Sequence, residues 1–151
     1  MSLSGRRQTD RVTDIIECMA TSDNVIRAGL TPKLRDIPNL VSGLTYEPSE
    51  ATKHVVKAVC FQSSSTSTLL FDPPVTEFSV LQVMIGMNGT EIHRAIDGPS
   101  IAIVTDGRGK ASCGKEQLEL SVGQVVFIGA GIEVTLTSEQ GLVIYRAFVE
   151  V

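Results

Sequence analysis

Charged and amide side chains are concentrated in one short segment near the start of the chain, between Glu17 and Lys33. The segment holds two acids, Glu17 and Asp23, and two bases, Arg27 and Lys33, with Asn24 beside the second acid. A guanidinium stays charged and donates a fork of hydrogen bonds, so Arg27 is suited to hold an anion. The same side chain could instead form a buried ion pair with Asp23 or Glu17. The residues alone leave both interpretations open.

The segment that follows predicts one short helix over residues 36–44. Asp36 is a suitable N-cap, Pro38 falls in the first turn and Gly43 weakens the end. At helical spacing one face collects the apolar residues Ile37, Leu40, Val41 and Leu44. A short helix and extended chain therefore link the charged segment to the rest.

From about Val55 to Val151 the pattern is typical of strands. Short apolar or alternating runs are separated by glycine turns, which indicates a sandwich or barrel. These runs are Glu77–Ile85, Ile101–Thr105, Gln117–Leu120, Val125–Ile128, Ile132–Thr137 and Leu142–Val149. The polar stretch 62–68 is interpreted as a mobile loop, and Asn88-Gly89 as a turn of the kind that favours a hairpin. The order of strands and glycine turns after Gly98 resembles a cupin, a small jelly-roll barrel.

Composition excludes several classes of protein. The 151 residues carry a formal charge of -4 and only 5% aromatic residues, which argues against a nucleic-acid surface. No apolar run approaches a membrane span, and no signal peptide is visible. The three cysteines have no paired spacing and are interpreted as reduced thiols, which predicts a cytoplasmic protein.

The barrel is predicted to bind no metal. Its only histidines are His54 and His93, which share no ligand spacing, and zinc or iron needs several imidazole or carboxylate groups at one point. His93 is therefore expected to be a surface residue on an exposed strand or loop.

The run from Glu17 to Lys33 closely resembles the signature that joins the catalytic cupin to the C-terminal cupin in type I mannose-6-phosphate isomerases (phosphomannose isomerases). Glu77–Val80 resembles the first C-terminal barrel strand of that family, and Gly98–Gly109 its penultimate hairpin. The resemblance covers about residues 14–151. Residues 1–13 are expected to be a leader, either an added sequence or a frayed terminus. The resemblance then implies a signature segment and short helix over 14–48 and a cupin-like barrel over 49–151. The implied fold class is mainly β, a jelly-roll barrel preceded by a short helical and extended linking segment.

The resemblance also implies an activity. The family interconverts mannose 6-phosphate and fructose 6-phosphate, feeding GDP-mannose synthesis, by moving a proton between C1 and C2 through an enediol beside a bound zinc. Arg27 matches the family's active-site arginine and is expected to be catalytic and substrate-binding, with Lys33 also at the substrate. Asp23 and Asn24 are expected to shape the turn that aims Arg27, and Glu17 to support it. Gly29 is expected to let the chain approach a wall closely.

Most zinc ligands of the family come from an N-terminal cupin that this chain lacks. Zinc is therefore expected in the full-length enzyme and not in this chain, which should be inactive alone. The expected partners are a sugar phosphate and the missing N-terminal catalytic domain, with no nucleic acid or membrane. Residues 18–44 should expose apolar surface that the missing domain covers and that could drive dimerisation. The alternative is a non-catalytic, metal-free cupin module that binds a sugar or a protein partner.

Overall fold

The computed structural model describes residues 2–3, 15–21 and 25–150. Its helical elements are α1 (Ile37–Ser42) and one 3₁₀ turn (Ala51–His54), and its strands are β1 (Ser2–Leu3), β2 (Ile16–Glu17), β3 (Val59–Cys60), β4 (Thr68–Phe71), β5 (Ser79–Ile85), β6 (Gly89–His93), β7 (Ser100–Cys113), β8 (Glu116–Ser121), β9 (Val125–Ile128), β10 (Val134–Ser138) and β11 (Leu142–Phe148). The chain divides into two compact units, Ala20–Val55 and Val56–Val151 with Met1–Met19.

The first unit contains the helix that the sequence predicts. The carboxylate of Asp36 accepts a hydrogen bond from the backbone N–H of Asn39 at 3.2 Å, and Pro38 lies in the first turn. This satisfies a backbone N–H that has no partner inside the helix. Gly43 follows the last helical residue. The predicted helix and its N-cap are confirmed, although none of its residues is buried.

The second unit is a curled, antiparallel β structure built around one long strand. The first half of β7 pairs with β11 and β9, and its second half pairs with β10 and β8. One face of the barrel has the order β3-β4-β5-β11-β7-β9, and the other has the order β6-β10-β7-β8. The prediction of a mainly β fold is confirmed.

The Asn88-Gly89 turn joins strands that do not pair with each other. Asn88 has a φ of 54° and stands between β5 and β6. β5 pairs with β4 and β11, whereas β6 pairs with β10. The turn is confirmed, but the hairpin that its sequence favours does not form, because the chain crosses from one face of the barrel to the other at this point.

The core fills the space between the two faces. Side chains alternate inward along β11, where Leu142, Ile144, Arg146 and Phe148 are buried. Aliphatic residues of β5, β7 and β10 pack against them, and Leu81 and Val83 are fully buried. The period-2 pattern of a strand thus accounts for the core, and on β11 it places one charged residue, Arg146, at an inward position.

Gly107 is the point where β7 passes from one face to the other. Its φ is +78°, and the next N–H, from Arg108, donates to the carbonyl of Gly141 at 3.1 Å. A Cβ added at Gly107 would overlap that carbonyl oxygen. Glycine is needed here both for the left-handed conformation and for the close backbone approach.

We expect Gly107→Ala to lower the free energy of unfolding by roughly 2 kcal/mol more than Gly114→Ala does. Gly114 also has a positive φ, 58°, but an added Cβ there meets no described atom within 4 Å. The control therefore isolates the conformational cost, and the difference measures the overlap with the Gly141 carbonyl. Urea denaturation of both variants checks this, and equal losses would contradict it.

Neither helical element within the described ranges is long and apolar enough to cross a membrane.

Candidate functional site

Of the residues predicted to do chemistry, Arg27 and Lys33 lie outside regular secondary structure and Glu17 lies at the end of β2. The side chain of Arg27 is half-buried, and those of Lys33 and Glu17 are exposed. Asp23 and Asn24 lie outside the described residues. The roles predicted for all five residues remain predictions.

Hydrogen bonds within the first unit shape the chain just after Arg27. The guanidinium of Arg35 donates to the carbonyl of Gly29 at 3.2 Å, and the N–H of Lys33 donates to Thr31 Oγ1 at 3.3 Å. Gly29 has a φ of +76°, and a Cβ there would meet no described atom within 4 Å. The described residues therefore provide no wall close to Gly29. Glycine is used here because it adopts a positive φ without steric cost.

The same segment presents an apolar surface. Leu30 and Leu34 are almost fully exposed. Several further apolar side chains of this unit are at least about half exposed, namely Val25, Ile26, Ile37, Val41, Leu44 and Tyr46. So many exposed apolar side chains in one short segment are more typical of a protein–protein contact than of a free surface.

A second polar cluster, not found from the sequence, lies inside the barrel. His93 is 0% exposed and Arg146 is 2% exposed, so the surface position predicted for His93 is wrong. The reason is the alternation along β6, which turns Glu91 and His93 inward and Thr90 and Ile92 outward. We call His93, Arg146, Thr68 and Glu91 the buried network.

In the buried network each hydrogen bond is donated in the same direction, from Arg146 toward Glu91. Arg146 Nη1 lies 3.2 Å from His93 Nδ1, His93 Nε2 lies 3.0 Å from Thr68 Oγ1, and Thr68 Oγ1 donates to Glu91 Oε1 at 3.0 Å. A guanidinium can only donate, so His93 Nδ1 must accept and Nε2 must carry the proton. The neutral Nε2–H tautomer satisfies every link from the guanidinium to the carboxylate.

Serine hydroxyls complete both ends of the buried network. At one end Arg146 Nε donates to Ser100 Oγ at 2.9 Å. At the other the hydroxyl of Ser65 donates to the carboxylate of Glu91 and accepts from the N–H of Thr68. These bonds give partners to most of the polar groups that the barrel buries.

The polar stretch 62–68, predicted to be a mobile loop, is held against β6. Ser65 and Thr68 are buried. Gln62 Nε2 donates to the carbonyl of Ile92 at 2.6 Å, and Gln62 Oε1 accepts from the N–H of Arg94 at 3.2 Å. Long-range hydrogen bonds fix the stretch, and its low-complexity composition gave no sign of them.

Burial and charge set the protonation of the buried network. Burial, and after it the charge of Arg146, lowers the pKa of His93 to about 4. Burial, and after it the charge of Arg94, lowers the pKa of Arg146 to about 10. At pH 7 His93 is therefore neutral and Arg146 is charged, as the direction of the hydrogen bonds requires.

The chain should lose about 3 kcal/mol of stability through His93 as pH falls from about 6.5 to about 4. In this window the unfolded imidazole takes up a proton and the folded one does not, so the unfolded state gains. Above pH 6.5 the imidazole is mostly neutral in both the folded and the unfolded state, so this loss of stability is nearly absent. Urea denaturation across this range checks the slope.

Two variants isolate the contribution of His93 to this slope. His93→Gln should flatten the pH dependence, whereas His54→Gln, on the exposed 3₁₀ turn, should keep it. Equal slopes for the two variants would contradict the assignment.

The described residues offer no ligand set for the zinc that the resemblance implies. Within the described ranges no three His, Cys, Asp or Glu side chains are grouped to hold a metal ion. Both ring nitrogens of His93 are occupied by hydrogen bonds.

Comparison with known proteins gives one consistent result. A family model described as phosphomannose isomerase type I C-terminal matches residues 68–115. The mannose-6-phosphate isomerase of Cryptococcus neoformans var. neoformans is 48% identical over 137 residues, which is 91% of this chain and 32% of that protein. The mannose-6-phosphate isomerase of Eremothecium gossypii is 46% identical over 141 residues, 91% of this chain and 33% of that protein.

A solved structure supports the same relationship. It is the mannose 6-phosphate isomerase of Salmonella typhimurium bound to substrate and to zinc. Its superposition on this chain has a TM-score of 0.70 at 30% sequence identity. The superposition covers 88% of this chain and 32% of the Salmonella chain. The chain thus spans about a third of the length of the relatives it matches.

Proposed function

This chain is homologous to the C-terminal portion of type I phosphomannose isomerases, and on that premise we propose that it is the C-terminal domain of a mannose-6-phosphate isomerase. The proposed reaction interconverts mannose 6-phosphate and fructose 6-phosphate through an enediol. One observation carries the proposal: the similarity extends over 91% of the chain and is not confined to the barrel. The reaction would take place in the cytoplasm and supply mannose 6-phosphate for GDP-mannose synthesis.

Arg27 is the group that this chain would bring to the reaction. Its guanidinium would stabilise negative charge on the phosphate or on the developing enediolate, since it remains charged and donates paired hydrogen bonds. Its half-buried position supports this role, because partial removal from water strengthens such an interaction. Lys33 would add positive potential nearby, and Glu17, Asp23 and Asn24 would position the segment.

We place the zinc ligands of the whole enzyme outside this chain. The described residues form no ligand set, and the relatives are about three times as long as the matched region. We therefore derive no step through the metal from these residues. The Salmonella protein binds zinc together with its substrate, and this supports zinc as the cofactor of the complete enzyme.

The apolar surface of the first unit would be the contact with the rest of the enzyme. Residues 14–48 would pack on the N-terminal catalytic domain, and residues 49–151 would form the barrel. The exposure of Leu30 and Leu34 supports this assignment, since covering a large apolar side chain is worth about 1.5–3 kcal/mol.

A chimeric enzyme tests the proposal. The matching C-terminal third of the Cryptococcus isomerase would be replaced by this chain, and isomerisation of mannose 6-phosphate would be measured. We expect the chimera to be active and the chain alone to be inactive. A folded, zinc-loaded chimera without activity would contradict the proposal and favour the binding-module alternative. Turnover by the pure chain would contradict the assignment of a missing catalytic domain.

A further inference from the structure

The two faces of the barrel differ in the chemistry of their outward side chains. On the face formed by β6, β10, β7 and β8, one row of paired outward residues is Thr90, Thr137, Lys110 and Glu119. This is the usual polar exterior of an antiparallel sheet that packs on the core with its other side. On the face that contains β11, a row of paired outward residues is Phe127, Ile101 and Ala147. That face therefore carries apolar side chains outward as well as inward.

Four apolar side chains form one patch at the β9 edge of this face. Ile101 pairs with Phe127 and Ile103 pairs with Val125, and all four are exposed. Directly paired side chains on one side of a sheet lie about 4.5–5.5 Å apart between their Cβ atoms, so the four are contiguous. We call Ile101, Ile103, Val125 and Phe127 the outer patch.

β9 ends the sheet beside the outer patch. Among the described strands it pairs with β7 alone, so its other edge presents unpaired N–H and C=O groups. A charged residue or a proline in an edge strand opposes further pairing, and Val125–Ile128 contains neither. An apolar patch beside an edge of this kind is typical of a surface that another protein segment covers.

The outer patch could be covered by a second copy of the chain or by another part of the same polypeptide. The relatives that match this chain are about three times as long as the matched region. A domain joined to the barrel through the backbone acts at an effective concentration of about millimolar. A second copy present at micromolar concentration therefore competes poorly with a joined domain.

We propose that the outer patch is a docking surface for the N-terminal catalytic domain of the isomerase, separate from the contact assigned to the first unit. The domain surface that meets Ile101 and Phe127 is apolar and uncharged, because a charge buried there would have no partner in the outer patch. This inference rests on the proposed function and gives the barrel a role that the proposed function leaves open.

Thiol labelling of the chimeric enzyme tests the docking surface. Ile101 and Ile92 are matched, since they are 53% and 48% exposed and lie outward on different faces of the barrel. In the isolated chain, the thiols of Ile101→Cys and Ile92→Cys should react with a maleimide at similar rates. In the chimera the Ile101→Cys thiol should react at least about tenfold more slowly than in the isolated chain, and the Ile92→Cys thiol within about twofold. Peptide mass spectrometry distinguishes both from the native cysteines.

The labelling result is separable from the test of the proposed function, because it does not depend on turnover. An active chimera in which the Ile101→Cys thiol reacts as fast as in the isolated chain would overturn the docking surface and leave the function standing. A folded, inactive chimera with a protected thiol would support the docking surface and contradict the function. Protection already present in the isolated chain, with light scattering showing a dimer, would identify a second copy as the occupant and overturn the proposal.

Charge substitution gives a second readout. Ile101→Glu should lower the unfolding midpoint of the chimera by roughly 4 °C or more below that of Ile92→Glu, because the carboxylate at position 101 would be buried without a partner. In the isolated chain both carboxylates remain in water, so the two variants should unfold within about 2 °C of each other. Equal midpoints for the two variants of the chimera would contradict the docking surface.

Discussion

Replacing Arg27 with alanine in the chimeric isomerase should lower kcat/KM for mannose 6-phosphate by about 100- to 1,000-fold. Removing one hydrogen-bond donor that stabilises developing negative charge typically costs this much. The guanidinium would act on a charged group in a site partly removed from water, so no solvent donor replaces it at equal strength. Steady-state kinetics of the chimera with and without the substitution measures the loss.

Two further variants separate the role of Arg27 from a general loss of charge. Arg27→Lys keeps the positive charge but not the paired donors, and should recover only part of the rate. Arg108→Ala removes an exposed arginine of β7 and should leave kcat/KM within about twofold, because surface charges outside a site contribute little. If Arg27→Ala and Arg108→Ala behaved alike, Arg27 would have no part in the reaction.

Glu91→Ala should lower the free energy of unfolding by about 3–5 kcal/mol, the usual cost of removing one member of a buried charged network. Glu91 is 5% exposed and accepts from the hydroxyls of Ser65 and Thr68. Without it both hydroxyls lose their acceptor, and the charge of Arg146 loses the anion at the other end of the buried network. Urea denaturation at pH 7.5 measures the change.

Glu119→Ala is the matched control for Glu91. Glu119 forms an ion pair with Lys110 at 3.2 Å, but its side chain is 75% exposed, and such pairs contribute about 0–1 kcal/mol. Glu91→Gln retains an acceptor for the hydroxyls and should fall between the two alanine variants. A loss under about 1 kcal/mol for Glu91→Ala would show that the buried network contributes little to stability.

Much of the barrel was predictable because its strands carry a period of two. The alternating run of β10 and the glycine turns around β8 and β9 predict strands at nearly the observed places. The helix was equally predictable, since Asp36 and Pro38 define its first turn locally. Such signals need only neighbouring residues, so a single sequence carries them.

The buried network could not be predicted, because it depends on contacts between strands distant in sequence. His93 and Arg146 meet only when β6 and β11 face each other across the barrel. One signal was available: Arg146 stands at an inward position in the alternating run of β11. A charge at a core position indicates a buried partner, and Glu91 and His93, two residues apart on β6, were the candidates.

The site residues were found by resemblance rather than by pattern. Arg27 and Lys33 lie outside helix and strand, and Glu17 ends the two-residue strand β2. Spacing alone therefore gives no direction for their side chains. Only the order of residue types in the signature pointed to Arg27. The comparisons support the family behind that resemblance, and the role of Arg27 awaits the kinetics described above.

The position of β11 between β5 and β7 sets the order in which the barrel can assemble. β11 follows both strands in the chain, yet it pairs with each along its whole length. During synthesis the edges of β5 and β7 that pair with β11 therefore remain unpaired until β11 has been synthesised. Unpaired edges can form incorrect strand pairs. The resulting high contact order favours slow folding. In pulse-labelling hydrogen exchange, the amides of β5 and β7 that bond to β11 should gain protection together with those of β11. Earlier protection of these particular amides would contradict this order.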